Sequence, residues 1–304
     1  MSQSIRTIFA GTDIKNSSIR YDEPMRNHTS FKLGGAVDVL VEPESIQELQ
    51  TAIRVLEENG IPYYIIGNGS NLLVSDQGIR GAIVKLGDKF GKVEITDEEI
   101  TAECGVLLST LSKAAARESL TGLEFASGIP GAVGGAIAMN AGAYDGEMKD
   151  VVKWVEVLDK KLDVVRLSNE QMHFGYRKSI VEPEGLIVLS CCVGLKKGDQ
   201  QAINDKMADL AVRRKTKQPL HLPSAGSTFK RPEGYFASKL IEDAGLKGYS
   251  IGGAQVSPLH SGFVVNNGGA TARDVYELIR HVQNTVYSKS NVKLEPEVKI
   301  LGEF

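Results

Sequence analysis

The sequence predicts an α+β fold divided into two domains, and three observations lead to this prediction. A strand, a helix and a strand follow one another near the N-terminus, paired strands typical of antiparallel sheet occupy the middle, and helices with short strands fill the C-terminal third. A chain of 304 residues is long enough for two domains of about 100–200 residues each. We expect a first domain over residues 1–198, with subdomains over about 1–87 and 88–198, and a second domain over residues 199–304.

The first landmark is a strand–helix–strand unit that ends in a glycine loop. Ser45 and Glu48 stand at the spacing of a capping box, apolar residues then recur at helical spacing, and Gly60 ends the helix. The segment PYYII is predicted to be a buried strand, and it leads directly into the loop GNGSN. These features predict a βαβ-like unit.

Hairpin patterns predict an antiparallel sheet in the middle of the chain. The segments KVEIT and EITAEC flank Asp97 and Glu98, and a second pair of strands is formed by VVKWVEVLD and LDVVRLS. The segment LIVLSCCVGL is a further strand, and VLLSTLSKAAARES is an amphipathic helix. Residues from about 88 to 198 are therefore expected to form one α+β unit.

Three helices are predicted in the remaining third. The first, DQQAINDKMADLAVRRKTK, has apolar residues at helical spacing and leads into the last domain. The others are centred on FASKLIEDAG and TARDVYELIRHVQNTVYSK, and Thr271 with Asp274 has the pattern of a capping box. The chain ends in VKLEPEVKIL, which lies just before the C-terminus.

Composition argues against several classes of protein. The formal net charge of −3 gives no reason to expect a nucleic-acid or membrane surface, and no obligatory protein partner is indicated. Three cysteines without metal-ligand spacing, and an N-terminus without a signal-peptide pattern, predict a cytoplasmic protein with no metal site. The uncharged stretch from Phe125 to Tyr144 is rejected as a membrane span because it contains Pro130, Asn140 and several glycines.

Two glycine-rich segments predict a site for an anion such as a pyrophosphate. In GNGSNLL, glycines 67 and 69 allow close backbone approach, and Ser70 and Asn71 are side-chain donors. Leu72 stands where a dinucleotide fingerprint has its last glycine, so that fingerprint does not match. The second segment, SGIPGAVGGAIAMNAGAYDGE, holds more glycines than turns require. A tight turn remains the alternative for the first segment, and a close-packed helix start for the second.

Seven motifs follow one another in the order seen in one flavoenzyme family. They are NHTSFKLGG, GNGSNLLVSD, GIPGAVGGAIAMNAGAY, FGYRKS, AGSTFKRP, GGAQVSPLHSGFVVN and LEPEVKILG. From about residue 27 to its end, the chain resembles the UDP-N-acetylenolpyruvoylglucosamine reductase family. The resemblance implies an FAD-binding domain of the p-cresol methylhydroxylase type with two subdomains, followed by an α+β substrate-binding domain. It also implies NADPH-dependent reduction of the enolpyruvyl ether of UDP-N-acetylglucosamine enolpyruvate to UDP-N-acetylmuramate, a step of peptidoglycan precursor synthesis.

The resemblance also assigns the cofactor site. The family uses FAD, with NADPH as reductant. Non-covalent binding is expected because neither glycine segment contains the histidine through which many related oxidases tether their flavin. The positions that match the family's FAD-binding residues are Gly67, Gly69, Ser70, Asn71, Leu72, Gly128, Ile129, Gly131, Gly134 and Gly135.

The implied reaction sets three demands on the site. Hydride must reach the β-carbon of an alkene conjugated to a carboxylate, and the negative charge that then builds on the carboxylate must be stabilised. A proton must finally arrive at the α-carbon. The family's catalytic residues match Arg177 in FGYRKS, Ser227 in AGSTFKRP and Glu297 in LEPEV.

Each of these three residues has an expected role and an alternative. The planar fork of Arg177 suits a carboxylate, and the alternative is a surface salt bridge. Glu297 is expected to be an acid that hydrogen-bonds the enolate-like charge, and the alternative is an exposed strand residue. Ser227 is expected to deliver the proton to carbon. Its alternatives are a helix N-cap and a nucleophile, although AGSTF lacks the trailing glycine of a nucleophile elbow.

Further residues are candidates for the UDP and sugar portions of the substrate. Cations suit the diphosphate, although a solvated basic helix end is the alternative for the segment from Arg213 to Lys217. The substrate-binding candidates are Tyr176, Lys217, Lys230, Arg231, Gln255 and Asn266. Only residues 178–185 separate Arg177 from the next strand, so the chain resembles the shorter form of the family, which lacks a tyrosine-bearing insertion that closes over UDP.

Two other functions stay open at this stage. One is a flavin- or nucleotide-binding module without catalysis, which would not need Arg177, Ser227 and Glu297 together. The other is a flavin oxidase acting on an alcohol or sugar, which the missing flavin-tethering histidine disfavours.

Overall fold

The computed structural model describes residues 5–304, and the chain forms two compact units. Unit 1 takes in the chain up to Arg20, Leu40–Asn68 and Ala82–Arg213, and unit 2 takes in Tyr21–Val39, Gly69–Gly81 and Arg214–Phe304. Each unit is thus assembled from segments that are distant in sequence. The predicted boundary between residues 198 and 199 separates an FAD-binding domain from a substrate-binding domain, whereas the two units are defined by their compactness. The boundary therefore stays a prediction.

Helices and short strands alternate along the whole described chain. The α-helices are α1 (Ile46–Glu58), α2 (Leu108–Arg117), α3 (Val133–Ala138), α4 (Gln200–Lys217), α5 (Ala237–Asp243) and α6 (Ala272–Ser290). Short 3-10 helices span Asn16–Ser18, Met25–Asn27, Asp88–Phe90, Glu124–Gly128, Met148–Asp150 and Glu170–Met172. The strands are β1 (Ile19–Pro24), β2 (Ala36–Val41), β3 (Tyr63–Ile66), β4 (Leu72–Val74), β5 (Ile79–Lys85), β6 (Val93–Thr96), β7 (Glu99–Glu103), β8 (Leu120–Thr121), β9 (Gly142–Ala143), β10 (Gly146–Glu147), β11 (Val152–Leu158), β12 (Val164–Ser168), β13 (Ile187–Gly194), β14 (Lys196–Lys197), β15 (Ser250–Ile251), β16 (Ala254–Val256), β17 (Val264–Asn266) and β18 (Lys299–Leu301).

The predicted βαβ-like unit forms around helix α1. The Ser45 side chain accepts a hydrogen bond from the Glu48 amide, and the Glu48 carboxylate accepts one from the Glu44 amide, which caps the helix start. Gly60 follows the helix with φ +63°, a left-handed value that glycine adopts without strain. Strand β3 pairs in parallel with β5, and the sheet has the order β1-β2-β5-β3.

An antiparallel sheet dominates unit 1, as the hairpin patterns predict. Its strand order is β12-β11-β13-β7-β6, and Thr96 pairs with Glu99 across the two-residue turn at Asp97 and Glu98. All residues of β13 from Ile187 to Val193 are buried, which explains why this strand is apolar on both faces. The two edge strands, β12 and β6, are amphipathic or polar. The strand at the centre of the sheet is therefore the most apolar one.

Unit 2 has its core between helix α6 and the sheet β15-β16-β17. The helix buries Val275, Leu278, Ile279, Val282 and Val286, which repeat at helical spacing. Strand β18 pairs in parallel with β4, far away in sequence. Pro296 lies just before β18, where it forms only an isolated bridge with Phe229.

Neither a membrane-spanning helix nor a metal site is predicted for residues 5–304. Among these residues, no helix is both long enough and apolar enough to cross a membrane. The same residues contain no group of three or more histidine, cysteine or acidic side chains that could hold a metal ion.

The capping box of α6 provides a test of local stability. The Asp274 amide donates to the Thr271 hydroxyl at 3.0 Å, and the Asp274 carboxylate accepts from the Thr271 amide at 2.9 Å. We expect Thr271→Ala to destabilise the protein by about 1 kcal/mol, because a helix-end amide loses its partner. The urea midpoint measures this change. Thr271→Ser keeps the hydroxyl and serves as the control, and equal midpoints for the two variants would contradict the assigned role.

Candidate active site

A cavity in unit 1 brings the two glycine-rich segments together. It has a volume of about 300 Å³, and Gly67, Asn68 and Ala132 form part of its wall. The Asn68 side-chain amide donates to the Pro130 carbonyl at 2.6 Å, which ties the first segment to the second. The other lining residues are Ser17, Ser18, Glu42, Pro43, Glu44, Lys85, Leu86, Gly87, Asp88, Lys89, Gly105 and Leu107.

The predicted glycines of unit 1 differ in what surrounds them. A Cβ added at Gly67 would meet only the Ala132 Cβ, at 3.5 Å, and one added at Gly135 would meet no atom within 4 Å. Gly134 is packed, because its added Cβ would lie 3.0 Å from the Cys104 Cβ and its amide donates to the Cys104 carbonyl. The open position at Gly67 on the cavity wall therefore fits a ligand that approaches the backbone closely.

Gly128, Ile129 and Gly131, the other predicted residues of the second segment, are described by their backbone structure and hydrogen bonds. Gly128 ends a 3-10 helix that begins at Glu124, and Ile129 follows it in an extended conformation. The carbonyl of Gly131 accepts a hydrogen bond from the Leu108 amide at 3.0 Å, at the start of helix α2. The structure thus holds this segment firmly against its own unit.

Four charged side chains on the cavity wall form two ion pairs. Glu42 contacts Lys85 at 3.0 Å and also contacts Arg20, and Glu44 contacts Lys89 at 3.1 Å. Burial by itself raises the pKa of Glu42, but hydrogen bonds and charges from Lys85 and Arg20 outweigh it and lower the pKa below its ordinary value. The lysine charges are therefore balanced by carboxylates of the protein.

Arg177 stands at the tip of a tight hairpin in unit 1. Gly175 and Lys178 exchange backbone hydrogen bonds of 3.0 and 3.3 Å, so Tyr176 and Arg177 are the two central residues. Arg177 has φ +54°, a conformation that costs a non-glycine residue about 1–2 kcal/mol. Its Nη2 donates to the Gly142 carbonyl at 3.1 Å, and its guanidinium lies 5.2 Å from the Tyr176 ring centroid. Strain of this kind is frequent at functional sites.

The second half of the first glycine loop belongs to unit 2. Gly69 has φ +62°, and an added Cβ would overlap the His28 carbonyl, so packing alone requires glycine here. The Asn71 side chain donates to the Glu297 carbonyl at 3.0 Å, and the Asn71 carbonyl accepts from the Lys299 amide at 3.0 Å. Asn71 thus positions the segment that carries Glu297.

Ser227 and Glu297 lie on two paired segments of unit 2. Phe229 and Pro296 form an antiparallel bridge, and the Glu297 amide donates to the Thr228 carbonyl at 2.8 Å. The structure therefore brings the predicted proton donor and the predicted acid onto neighbouring backbone. Glu297 is half-buried and Ser227 is exposed.

The helix N-cap alternative for Ser227 is wrong. The next helix, α5, begins at Ala237, and its N-cap residue is Phe236. Gly226 has φ +76°, with no atom within 4 Å of an added Cβ, so the chain turns at this glycine and leaves Ser227 accessible. An exposed hydroxyl on irregular backbone is available to a ligand.

The main-chain carbonyl of Ser224, close to Ser227 in sequence, is held by Ser30. The Ser30 hydroxyl donates to the Ser224 carbonyl at 2.6 Å and lies 3.3 Å from the Ser70 carbonyl. Ser30 therefore joins the glycine loop to the segment that leads to Ser227. Sequence reasoning missed Ser30 as well as Asn68, although both are short polar residues within the quoted motifs.

The two predicted cations beside Ser227 have protein partners. Lys230 forms an ion pair with Glu295 on the segment that also carries Glu297. The Arg231 Nε donates to the Tyr235 carbonyl at 3.2 Å, and its guanidinium lies 4.0 Å from the Phe236 ring. A diphosphate would have to compete with these contacts.

The remaining substrate-binding candidates are spread over different elements. Lys217 is the exposed last residue of α4, and Tyr176 is 52% exposed. Gln255 Nε2 donates to the Gly248 carbonyl at 3.2 Å. Asn266 Nδ2 donates to the Phe31 carbonyl at 3.2 Å, so this amide organises the loops of unit 2.

Two family models match separate parts of the chain. One, described as an FAD binding domain, matches residues 37–168. The other, described as the C-terminal domain of UDP-N-acetylenolpyruvoylglucosamine reductase, matches residues 218–301. These matches confirm the prediction that FAD is the cofactor, and they confirm the predicted fold class.

Curated relatives match nearly the whole length. The UDP-N-acetylenolpyruvoylglucosamine reductase of Alkaliphilus oremlandii is 56% identical over 290 residues, which are 95% of this chain and 95% of that protein. The enzyme of the same name from Clostridioides difficile is 54% identical, with the same coverage of both chains.

Solved structures agree with these matches. The crystal structure of the Thermus caldophilus UDP-N-acetylenolpyruvylglucosamine reductase has a TM-score of 0.81 and 37% identity, covering 93% of this chain and all of that one. A glucose dehydrogenase, Phl p 4.0202, has a TM-score of 0.50 and 16% identity over 65% of this chain and 44% of its own, which is a likeness of fold alone.

Gly67 and Gly69 provide a contrast between ligand binding and packing. We expect Gly67→Ala to leave the melting temperature of the apoprotein unchanged, because the added methyl makes only an ordinary contact with Ala132. Its Kd for FAD should rise about tenfold or more, measured by quenching of flavin fluorescence. Gly69→Ala should instead lower the melting temperature, because the methyl overlaps the His28 carbonyl. Wild-type FAD affinity in Gly67→Ala would refute the assignment of this cavity wall to the cofactor.

Proposed function

The chain belongs to the UDP-N-acetylenolpyruvoylglucosamine reductase family, and from this premise we propose that it is an NADPH-dependent reductase with non-covalently bound FAD. Its reaction is reduction of the enolpyruvyl ether of UDP-N-acetylglucosamine enolpyruvate in peptidoglycan synthesis, the product being UDP-N-acetylmuramate. The proposal rests on relatives that are more than half identical over 95% of the chain. The choice of NADPH rests on the family resemblance of the sequence motifs.

We propose that the two glycine-rich segments hold the FAD pyrophosphate. Support comes from the cavity of unit 1, where Gly67 and Ala132 leave the backbone accessible and Asn68 joins the segments. Once bound and reduced by NADPH, the flavin would supply the hydride for the reaction. We also propose a functional boundary near residues 198 and 199, since the two matched regions end before it and begin after it.

Arg177 is proposed to bind the carboxylate of the enolpyruvyl group. Its guanidinium stays protonated at working pH, and its planar fork can form two parallel hydrogen bonds with a carboxylate. The charge that develops on that carboxylate during reduction is stabilised by such a cation more strongly than the ground state is. The strained, half-buried position of Arg177 supports a functional role over a surface salt bridge.

Ser227 is proposed to deliver the proton to the α-carbon, with Glu297 hydrogen-bonding the developing enolate. The two residues lie on paired segments, and Thr228 and Glu297 share a backbone hydrogen bond of 2.8 Å. An alcohol is a weak acid, but an enolate carbon is basic enough to take its proton when the geometry is set beforehand.

The substrate's UDP and sugar groups are proposed to contact six residues. Lys230 and Arg231 are closest in sequence to Ser227, and a diphosphate would replace part of their present pairing with protein groups. The proposed set is Tyr176, Lys217, Lys230, Arg231, Gln255 and Asn266.

The whole proposal is tested by anaerobic stopped-flow spectroscopy of the FAD-loaded protein. We expect NADPH to bleach the flavin absorbance and UDP-N-acetylglucosamine enolpyruvate to restore it in a second mixing step. UDP-N-acetylglucosamine without the enolpyruvyl group is the control and should restore nothing. A protein that fails to take up FAD, or whose reduced flavin ignores the enolpyruvyl substrate, would overturn the proposed function.

The role of Ser227 is tested by separating the two half-reactions. Ser227→Ala should be reduced by NADPH at close to the wild-type rate, while turnover falls about 10²-fold to 10⁴-fold because the proton donor is missing. Ser224→Ala, three residues earlier in the same segment, is the matched control and should turn over normally. A parallel loss in both half-reactions would show that Ser227 supports the fold or the cofactor instead.

A further inference from the structure

We propose that Asn140 is a positioning residue that holds the hairpin of Arg177 in its working place. This inference rests on the proposed function. It gives a role to a residue that has none in the catalytic, cofactor-binding or substrate-binding sets named above. It is carried by the contacts of Asn140, by its backbone conformation and by its place directly after helix α3.

Asn140 is fully buried and uses its side chain on three partners. Its Nδ2 donates to the Gly175 carbonyl at 3.0 Å and to the Glu147 carboxylate at 2.7 Å. Its Oδ1 accepts from the Lys149 amide at 2.9 Å. Both amide protons and one oxygen lone pair are therefore used, and the residue has 0% exposure.

The partner at Gly175 is the first residue of the hairpin that carries Arg177. Two further hydrogen bonds attach the same hairpin to the same segment of chain. The Ser179 hydroxyl donates to the Ala138 carbonyl at 2.7 Å, and Arg177 Nη2 donates to the Gly142 carbonyl at 3.1 Å. The hairpin is thus held at its start, its tip and its end by residues 138–142.

Asparagine combines two properties that this position requires. Asn140 has φ +45°, a left-handed conformation that asparagine and aspartate tolerate better than other non-glycine residues. Aspartate would keep the shape but lose both donors, and its carboxylate would face the Gly175 carbonyl and the Glu147 carboxylate. Serine or alanine could not reach three partners at once.

Residues 138–142 also continue directly from the second glycine-rich segment. Helix α3 begins at Val133, next to the cavity-lining Ala132, and ends at Ala138. The hairpin of Arg177 is therefore fastened to the stretch of chain that follows the proposed cofactor wall. Through these contacts, Asn140 fixes the guanidinium in position relative to that wall.

The test compares Asn140→Asp with Asn169→Asp in FAD-loaded protein. Asn169 likewise donates two hydrogen bonds from Nδ2, but their acceptors are the backbone carbonyls of Lys149 and Val152 rather than a residue of the Arg177 hairpin, so it is the matched control. We expect Asn140→Asp to be reduced by NADPH within about twofold of the wild-type rate. Reoxidation of its flavin by the enolpyruvyl substrate should slow about 10²-fold, the effect of a misplacement of about 1 Å. Asn169→Asp should be normal in both half-reactions.

A double-mutant cycle with Arg177→Ala separates positioning from general stability. If Asn140 acts through Arg177, Asn140→Asp should cause no further slowing when Arg177 is already alanine. Equal slowing in both backgrounds, or slowing of both half-reactions, would overturn the inference. Equilibrium binding of UDP-N-acetylmuramate, measured by calorimetry, should weaken in Asn140→Asp and in Arg177→Ala alike, without extra weakening in the double variant.

The outcomes also distinguish this inference from the proposed function. If the enolpyruvyl substrate does not reoxidise the flavin of the wild-type protein, the proposed function itself is refuted. If both the wild type and Asn140→Asp are reoxidised at the normal rate, only the role of Asn140 is refuted. If Asn140→Asp does not fold, Asn140→Gly keeps the left-handed backbone and takes its place in the same cycle. Failure of both variants to fold would make Asn140 a residue of stability and would refute its positioning role.

Discussion

A loop carbonyl that is removed from water needs a hydrogen-bond donor, and this constraint determines how the candidate site is built. The proposed catalytic residues Arg177, Ser227 and Glu297 lie outside the regular helices and strands, so secondary structure supplies few of the partners that their segments require. Short polar side chains supply them instead. The donors and the residues whose carbonyls they bind are Asn71 and Glu297, Asn140 and Gly175, and Ser30 and Ser224.

Glycine is frequent in these segments, and the individual glycines serve different purposes. Gly69 is needed because a carbonyl of the protein occupies the space of its side chain, and Gly134 is packed against Cys104. Gly67 and Gly135 have open space instead, which a ligand can use. Counting glycines in a motif therefore overestimates the number that contact a cofactor, since part of them serve the close approach of one loop to another.

Sequence reasoning succeeded where the cause of structure is local. The capping residues Ser45 and Thr271, and the turn at Asp97, act within a few residues of themselves, so spacing alone predicts the two helices and the hairpin. The carbonyl partners could not be predicted in this way. Ser30 and Ser224 are 194 residues apart, and nothing in the spacing of either motif indicates the other. The division of the chain into two units is of the same kind, because each unit is assembled from distant segments.

The three proposed catalytic side chains lie on irregular backbone, so contacts from other segments must hold them in position. Arg177 is held in a left-handed conformation at a hairpin tip, Ser227 follows a left-handed glycine, and Glu297 follows a proline beside an isolated bridge. No such segment would keep its shape alone, because one bridge or a two-residue turn gains too little free energy to order its backbone. Their geometry therefore depends on donors elsewhere in the same unit. Loss of a donor should displace a functional group while the cores of the units, which rest on α6 and on the buried strand β13, remain folded.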